Sequence, residues 1–140
     1  MTVRPLAAAD IPAAAALLTA LDRTLTPSIF GERLAHLAGN VDHRVWVFEE
    51  QGTVTGVAHA FVRPALEKPR ELVLQSIAVD PARRSAGIGR ELMAEAERWA
   101  RLRGLSSIAL HTRNAAPFYR KLGYDEIAAP TLMRKVLPEI

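Results

Sequence analysis

The stretch ELVLQSIAVDPARRSAGIGREL, residues 71–92, determines more of the fold than any other part of this sequence. Residues 71–79 are rich in apolar and β-branched side chains and predict a strand. The second half of that strand is apolar on both faces, which is typical of a central strand. Gly87 and Gly89 then mark a turn into the strongest helical pattern of the chain, residues 90–104. A strand, a glycine turn and a helix in this order predict the first two parts of a β-α-β unit.

The next segment, LSSIALHT at residues 105–112, predicts the second strand of that unit. Because β-α-β crossovers are right-handed, the two strands should lie parallel in one sheet. Upstream, residues 43–50 and 53–64 alternate apolar and polar side chains, and Gln51-Gly52 between them predicts a hairpin turn. The sheet should therefore contain both parallel and antiparallel pairs.

The outer segments add helices at the start and shorter elements at the end. Asp10 and Asn114 stand where helix caps are expected. The predicted order is β-α-α-β-β-β-α-β-α-β-β, an α/β fold with a central mixed, mostly antiparallel sheet and helices on both faces. The remaining elements are a strand over 2–6, helices over 11–22, 28–39 and 115–122, and closing strands over 124–129 and 131–137.

Composition restricts the class of protein. A chain of 140 residues, 49% hydrophobic and 24% charged, predicts a single soluble domain over 1–140. The sequence has no cysteine, which excludes disulfides, thiolate metal sites and cysteine nucleophiles. It contains neither a signal-peptide pattern nor an apolar run of membrane-spanning length. We therefore expect a cytoplasmic protein without a membrane partner.

The charge is mildly basic, with a net charge of +3 and a pI near 9.8. Basic proteins bind nucleic acids, membrane phosphates or anionic cofactors. The arginines here are spread along the chain, with no lysine-rich tail and no basic stripe interleaved with aromatic residues. We therefore expect no nucleic-acid partner. A nucleic-acid-binding domain stays a minor alternative, and it would show a steep dependence of binding on salt.

The glycine turn has the chemistry of an anion cradle. The first N–H groups of a helix have no intrahelical partner, and the helix dipole adds positive charge there, so phosphate is a natural ligand. Gly87 and Gly89 would let a phosphate approach the backbone, and Arg84 and Arg90 could neutralise it, with Arg83 a weaker candidate. A plain turn is the alternative. A Walker loop and a dinucleotide fingerprint are both excluded, since the required lysine and third glycine are missing.

Two motifs resemble those of the GNAT superfamily of acyl-CoA N-acyltransferases. The first is R-x-x-G-x-G at residues 84–89, after a strand ending in I-A-V-D-P, and the second is A-x-x-F-Y-x-K-L-G-Y at residues 115–124. The resemblance implies the GNAT fold and an enzyme that transfers an acetyl group from acetyl-CoA to a primary amine of a small molecule or protein. It also implies direct attack in a ternary complex, with acetyl-CoA as co-substrate and no metal. The alternative is a non-catalytic acyl-CoA-binding or sensing module, and a homodimer stays open.

The resemblance also implies roles for individual residues. The glycine turn would hold the pyrophosphate of coenzyme A, the pantetheine arm would lie beside the strand ending at Val79, and Tyr119 would protonate the departing thiolate. Many relatives carry an asparagine seven residues before that tyrosine. Thr112 stands there instead, so Asn114 is either a cofactor contact or only a helix cap. The implied cofactor residues are Ile77, Ala78, Val79, Arg84, Ser85, Ala86, Gly87, Ile88, Gly89, Arg90, Asn114 and Tyr119.

The general base is less clear, because Gln75 and Ser76 stand where members of the family often carry a carboxylate. Glu71 lies on the same strand about four residues away, and it would act through water. If the strands before and after residues 64–70 pair with residue numbers summing to about 134, His59 lies opposite Gln75. We therefore expect a water as the base, organised by His59, Gln75 or Glu71. A buried structural histidine is the alternative for His59.

Several other side chains are further candidates for the general base or for the acceptor groove. His111 is a second candidate base, whereas His36 and His43 look like surface residues. Trp46 and Phe61 would line an acceptor groove or, more simply, belong to the core of the sheet. In the family, the acceptor is recognised by segments that correspond to residues 21–37, 64–70 and 128–131, and these carry no motif.

Overall fold

The computed structural model describes residues 2–84, 86–128 and 130–139. Within these residues the chain forms five strands and four α-helices. The helices are α1 (Ile11–Leu18), α2 (Pro27–Ala35), α3 (Ile88–Leu102) and α4 (Ala116–Lys121). The strands are β1 (Thr2–Pro5), β2 (His43–Glu50), β3 (Thr53–Arg63), β4 (Glu71–Val79) and β5 (Ile108–Leu110).

The strands form one sheet in the order β1-β2-β3-β4-β5, which is also their order in the chain. The first four pair antiparallel, and β4 pairs parallel with β5 across α3. This confirms the mixed, mostly antiparallel sheet and the central position of β4. The β2–β3 hairpin turns at Gln51-Gly52, and both residues have positive φ (49° and 79°), as a two-residue turn of this kind requires.

Helices cover both faces of the sheet, as predicted. On one face α3 packs its apolar stripe against the strands, and this core contains Trp46, Leu72 and Leu92, none of which is exposed. The predicted core alternative for Trp46 is therefore correct. On the other face α1 and α2 cover a smaller cluster that includes Val47 and Val57. Burial of these apolar side chains is the main force that holds the layers together.

The close approach of α3 to the sheet depends on Gly56 in β3. A Cβ atom at Gly56 would lie 2.8 Å from Ile88 Cγ2 and 3.0 Å from Leu92 Cδ1. Both distances are shorter than van der Waals contact, so only glycine lets the first turn of α3 rest on β3 at this depth. Gly56 thereby sets the height of the helix start above the sheet. No motif in the sequence marks Gly56 for this role.

The two closing strands that we predicted are wrong. No strand follows β5 in the part of the chain that the structure describes, and Ala129 lies outside that part. Leu132 and Val136 are 80% and 85% exposed. Apolar alternation favours a strand only where a neighbouring strand can pair with it, and Pro130 and Pro138 remove two of the backbone donors that such pairing needs.

Several helix ends also differ from the predictions. Asp10 does precede α1, but its carboxylate accepts hydrogen bonds from the Ala7 N–H (2.7 Å) and the Arg4 guanidinium (2.7 and 3.0 Å) instead of capping the helix. Asn114 does not cap α4. Ala115 takes the N-cap position, and its N–H donates to Thr112 Oγ1 at 3.0 Å. In the described residues, no helix combines the length and the apolar character needed to cross a membrane.

Candidate active site

The start of α3 is open to solvent and rich in N–H donors. Gly87 is its N-cap, with φ of +82°, and offers no side chain to cap the helix. The first intrahelical bond runs from the Glu91 N–H to the Gly87 carbonyl at 3.1 Å. The N–H groups of Ile88, Gly89 and Arg90 come before this bond and lack an intrahelical acceptor. Three donors and the positive end of the helix dipole therefore meet at this turn.

The arginines around this turn have different partners. Arg83 donates to both carboxylate oxygens of Glu50, at 2.9 and 2.7 Å, and these bonds lower the pKa of Glu50. Arg84 and Arg90 are exposed, and neither forms an ion pair with a carboxylate among the described residues. Two positive charges therefore remain available beside the helix start. Ser85, which we also predicted as a cofactor contact, lies outside the described residues.

A gap opens between β4 and β5 beside this helix start. The two strands pair only from Leu72 to Leu74, opposite Ile108 to Leu110. Beyond that point β4 continues to Val79 and stays paired with β3, but it has no β5 neighbour. Along Ile77, Ala78 and Val79, the edge of β4 that faces away from β3 is therefore not paired with any strand of the described residues, and this edge lies next to the glycine turn.

Tyr119 lies in α4, which packs against the start of α3. The contact is made by Phe118, whose Cζ lies 3.1 Å from where a Cβ of Gly89 would stand. Tyr119 is buried, and burial raises the pKa of its hydroxyl above the ordinary value. Its side chain also lines a groove of about 1200 Å³ along the outer edge of β5, together with Leu110 and Thr112. The phenol is therefore protonated at neutral pH and borders an open space.

A β-bulge lies where β4 leaves β5. His59 pairs with Ser76 and Ala60 with Leu74, so Gln75 is the extra residue and is exposed. The predicted pairing of His59 with Gln75 is therefore wrong by one position. The residue sum of 134 holds for Ala60 and Leu74, but the bulge raises it to 135 from His59 onward. From the sequence we considered Ser76 only as a residue that cannot act as a base, so its place opposite His59 was missed.

His59 does not stand alone on its face of the sheet. Its Nε2 lies 2.9 Å from Nδ1 of His43 on β2, so one of these nitrogens donates a hydrogen bond to the other. The two rings stack with centroids 5.2 Å apart, and Phe61 also stacks on His43 with a centroid distance of 5.2 Å. Burial and the neighbouring His43 lower the pKa of His59 to about 4, so His59 is neutral near pH 7. The prediction of His43 as a surface residue is wrong, because it is half-buried in this stack.

Two other predicted residues lie apart from this centre. Glu71 is at the far end of β4, where its carboxylate pairs with Arg63 and accepts a hydrogen bond from Ser107 Oγ at 3.2 Å. Asn114 is exposed in the loop before α4. The glycine turn, the gap and the His59–Ser76 pair therefore lie toward the C-terminal end of β4, and Glu71 lies at the other end. Tyr119 belongs to the core cluster on the α3 face, against which Ile77 and Val79 pack.

A cleft on the opposite face of the sheet reaches the same point. It has a volume of about 340 Å³ and lies between the sheet and the segment that contains α1 and α2. His59 and Ser76 line its inner end, beside the bulge. We call it the α1–α2 cleft. Ser76 lines this cleft and also stands on the part of β4 that has no β5 neighbour.

The family model described as "Acetyltransferase (GNAT) family" matches residues 14–124. The chain belongs to the GNAT family of acetyltransferases. The match includes the last five residues of α1, all of α2, the glycine turn and Tyr119. It ends at Tyr124, before the segment in which the two predicted strands did not form. The gap beside the glycine turn is thus a feature of a GNAT fold.

The chain is also similar, at low identity, to two named acetyltransferases. The chain is 27% identical over 109 residues to glucosamine 6-phosphate N-acetyltransferase of Trypanosoma brucei brucei, covering 72% of this chain and 74% of that protein. It is 37% identical over 69 residues to mouse N-alpha-acetyltransferase 80, a match that spans only 22% of the mouse protein and 49% of this chain.

Solved structures show the same fold. Glucosamine-6-phosphate N-acetyltransferase from Arabidopsis thaliana superposes with a TM-score of 0.83 at 18% identity, covering 95% of this chain and 97% of that chain. An aminoglycoside 6'-N-acetyltransferase from Acinetobacter haemolyticus gives a TM-score of 0.82, also at 18% identity, and covers 99% of this chain and 100% of that chain. At these identities the likeness extends to the fold and not to the acceptor.

Proposed function

We propose that this GNAT chain is an acetyl-CoA-dependent N-acetyltransferase that moves an acetyl group to a primary amine by direct attack in a ternary complex. The observation that carries the proposal is the position of Ser76, which lines the α1–α2 cleft and stands on the part of β4 that borders the β4–β5 gap. One space leads to the anion-binding turn, and the other leads to solvent on the opposite face. A donor and an acceptor can therefore approach the same point from two sides, as direct transfer requires.

The residues at the gap fit coenzyme A. The N–H groups at Ile88, Gly89 and Arg90 would hold the pyrophosphate, with Gly87 supplying the left-handed turn and Arg84 the countercharge. The backbone of Ile77, Ala78 and Val79 and the turn residue Ala86 would hold the rest of the cofactor. The roles of Ser85 and Asn114 as cofactor contacts stay predictions from the sequence. When bound, acetyl-CoA supplies an activated thioester, and the chemistry needs no metal.

Tyr119 is the proposed general acid. Its hydroxyl stays protonated at neutral pH, since burial raises its pKa, and it can donate to a thiolate held within hydrogen-bond reach. Among the described residues no protein group takes this hydroxyl as a hydrogen-bond donor. A buried phenol whose proton is not already shared with a protein acceptor is suited to this role.

The proposed base is a water beside His59. A neutral imidazole can accept a proton, but a pKa of about 4 means that the proton does not stay on it at neutral pH. His43, bonded to His59, gives the proton a next position away from the cleft. Ser76 and Gln75 provide further polar groups for the water at the bulge. Glu71, bound to Arg63, would have to act from the far end of the strand.

The first test is thermal stability with four ligands. Acetyl-CoA and coenzyme A should raise Tm by roughly 5–10 °C at a hundredfold excess over Kd, because both bind only the folded state, and ATP and NAD should not. Tyr119→Phe should then lower kcat about 100-fold with the Kd for acetyl-CoA unchanged. If acetyl-CoA raises Tm but Tyr119→Phe turns over as fast as the wild type, Tyr119 is not the general acid. Binding without any turnover on amines would favour the sensing module, and no shift would overturn the proposal.

The remaining statements about partners stay predictions from the sequence. These are the cytoplasmic location, the absence of nucleic-acid and membrane partners, and the open question of a homodimer. Salt-dependent binding of nucleic acid without any response to coenzyme A would contradict the prediction that the protein has no nucleic-acid partner. Sedimentation at two concentrations would decide the oligomeric state.

A further inference from the structure

The α1–α2 cleft is lined mainly by apolar side chains, several of which also belong to the smaller core cluster on this face. The side chains of α1, α2 and the segment between them form its walls, and Val45 and Val57 form its floor. Leu21 is 61% exposed even though it lines the cleft, so its side chain is not buried by the protein itself. The apolar residues of the lining are Leu18, Leu21, Leu25, Phe30, Leu34, Leu37, Val45, Val57 and Ala58.

Polar groups occur only at a few points of this cleft. His59 and Ser76 lie at the inner end, next to the bulge. Asp22 lies on the segment before α2, and Arg33 lies on α2. The carboxylate of Asp22 accepts hydrogen bonds from the N–H and Oγ1 of Thr24, at 2.9 and 2.6 Å, and these bonds lower its pKa. Asp22 is therefore ionised, and the positive charge of Arg33, which lines the same cleft, offsets its negative charge. The other residues that line the cleft are apolar, so their side chains offer no hydrogen-bond partners.

This distribution selects among amines. An amino sugar or a polyamine carries hydroxyl or ammonium groups along its whole length, and in this cleft most of them would lose water without gaining a protein partner. An amine with an apolar body would bury that body against the leucines and leave one polar end at His59 and Ser76. The volume of about 340 Å³ lies at the small end of the range for ligand sites, which favours a small molecule.

We propose that the acceptor of this protein is a small primary amine with an apolar body, such as an aryl-alkyl or branched alkyl amine, bound with its amino group at His59 and Ser76. This inference rests on the proposed function and adds the class of acceptor to it. The polar acceptors named for the structural relatives are thus not the expected acceptors here.

The test compares four amines at a fixed concentration of acetyl-CoA. We expect 2-phenylethylamine and isoamylamine to be acetylated with kcat/KM at least 30-fold higher than glucosamine 6-phosphate and spermidine. Leu34→Asn, which places an amide in the wall of the cleft, should raise KM for 2-phenylethylamine about tenfold, with kcat and the KM for acetyl-CoA unchanged. Leu102→Asn is the matched control, because Leu102 is 69% exposed on α3 and outside the cleft, and it should change none of these values.

Two outcomes separate this inference from the proposed function. If acetyl-CoA raises Tm and the polar amines are the better acceptors, or Leu34→Asn leaves KM unchanged, the acceptor class is wrong and the acetyltransferase assignment stands. Direct titration of 2-phenylethylamine in the presence of coenzyme A provides a readout without turnover. Binding that Leu34→Asn weakens and Leu102→Asn does not supports the inference, and no binding overturns it.

Discussion

The two faces of the sheet at the bulge of β4 are built in different ways. On the α3 face, the turn that we propose as the pyrophosphate site consists of backbone N–H groups positioned by Gly87 and by the close approach at Gly56. On the α1–α2 face, the cleft consists of leucine and valine side chains with His59 at its end. The first depends on glycines, whose positions are visible in a sequence. The second depends on apolar residues that look like any other core residues.

This difference explains why the sequence predicts a ligand for the first face and gives no motif for a ligand on the second. A site made of backbone atoms needs particular residue types, because only glycine tolerates the required φ and the close contact. A site made of apolar side chains needs only a shape, and many combinations of leucine, valine and phenylalanine give similar shapes. Substitutions should therefore act on stability and cofactor affinity on the first face, and on acceptor KM on the second.

The largest effect is expected at Gly56. Gly56→Ala adds a Cβ that must displace Ile88 and Leu92, and we expect a loss of about 1–3 kcal/mol in the free energy of unfolding, measured with urea. Affinity for acetyl-CoA should fall as well, because the start of α3 moves. Gly31→Ala is the control. It lies in α2, where an added Cβ would meet no atom within 4 Å, and alanine there should be neutral or slightly stabilising. Equal stabilities of the two variants would contradict the role of Gly56.

The next effect concerns the arginines at the turn. Arg84→Ala and Arg90→Ala should each weaken acetyl-CoA binding about tenfold, equivalent to about 1.4 kcal/mol, because each removes an available positive charge. Arg83→Ala should leave this affinity nearly unchanged, since Arg83 is bound to Glu50. Calorimetric titration of the three variants measures the difference. A loss at Arg83 equal to that at Arg90 would show that only overall charge matters.

The smallest effect is the dependence of stability on pH. The pKa of His59 is about 4 in the folded protein and about 6.5 in an unfolded chain, so the unfolded state binds the proton more readily. Stability due to His59 is complete above pH 6.5 and is lost as the pH falls toward 4. Since His59 is only partly buried, we expect a loss on the order of 1 kcal/mol between pH 6.5 and 4.5. Urea unfolding at these pH values should show this slope in the wild type and a smaller slope in His59→Gln.

Much of the fold followed from local patterns. The bounds of β2 and β4 are those predicted, because each strand has a dense run of β-branched and apolar residues that ends at a turn or a proline. The Gln51-Gly52 hairpin and the parallel β4–β5 pair were predicted correctly for the same kind of reason, since turn chemistry and crossover handedness are local rules.

The errors arose where a feature belongs to two segments at once. The bulge at Gln75 is a property of how β3 and β4 pair, and neither strand reveals it alone. The stack of His43 on His59 also needs the register of β2 against β3. The closing strands failed because alternation over 131–137 does not indicate whether a partner strand is available.

The identical order of strands in the sheet and in the chain has a consequence for folding kinetics. Every pair joins consecutive strands, so no pairing has to wait for a distant part of the chain, and such topologies fold faster than those with many non-local pairs. The β4–β5 pair costs more loop-closure entropy than the others, because all of α3 lies between the two strands. It also contributes only three residue pairs. Its closure therefore gains little and should come late, so the gap beside β4 would be the last part of the sheet to take its final width.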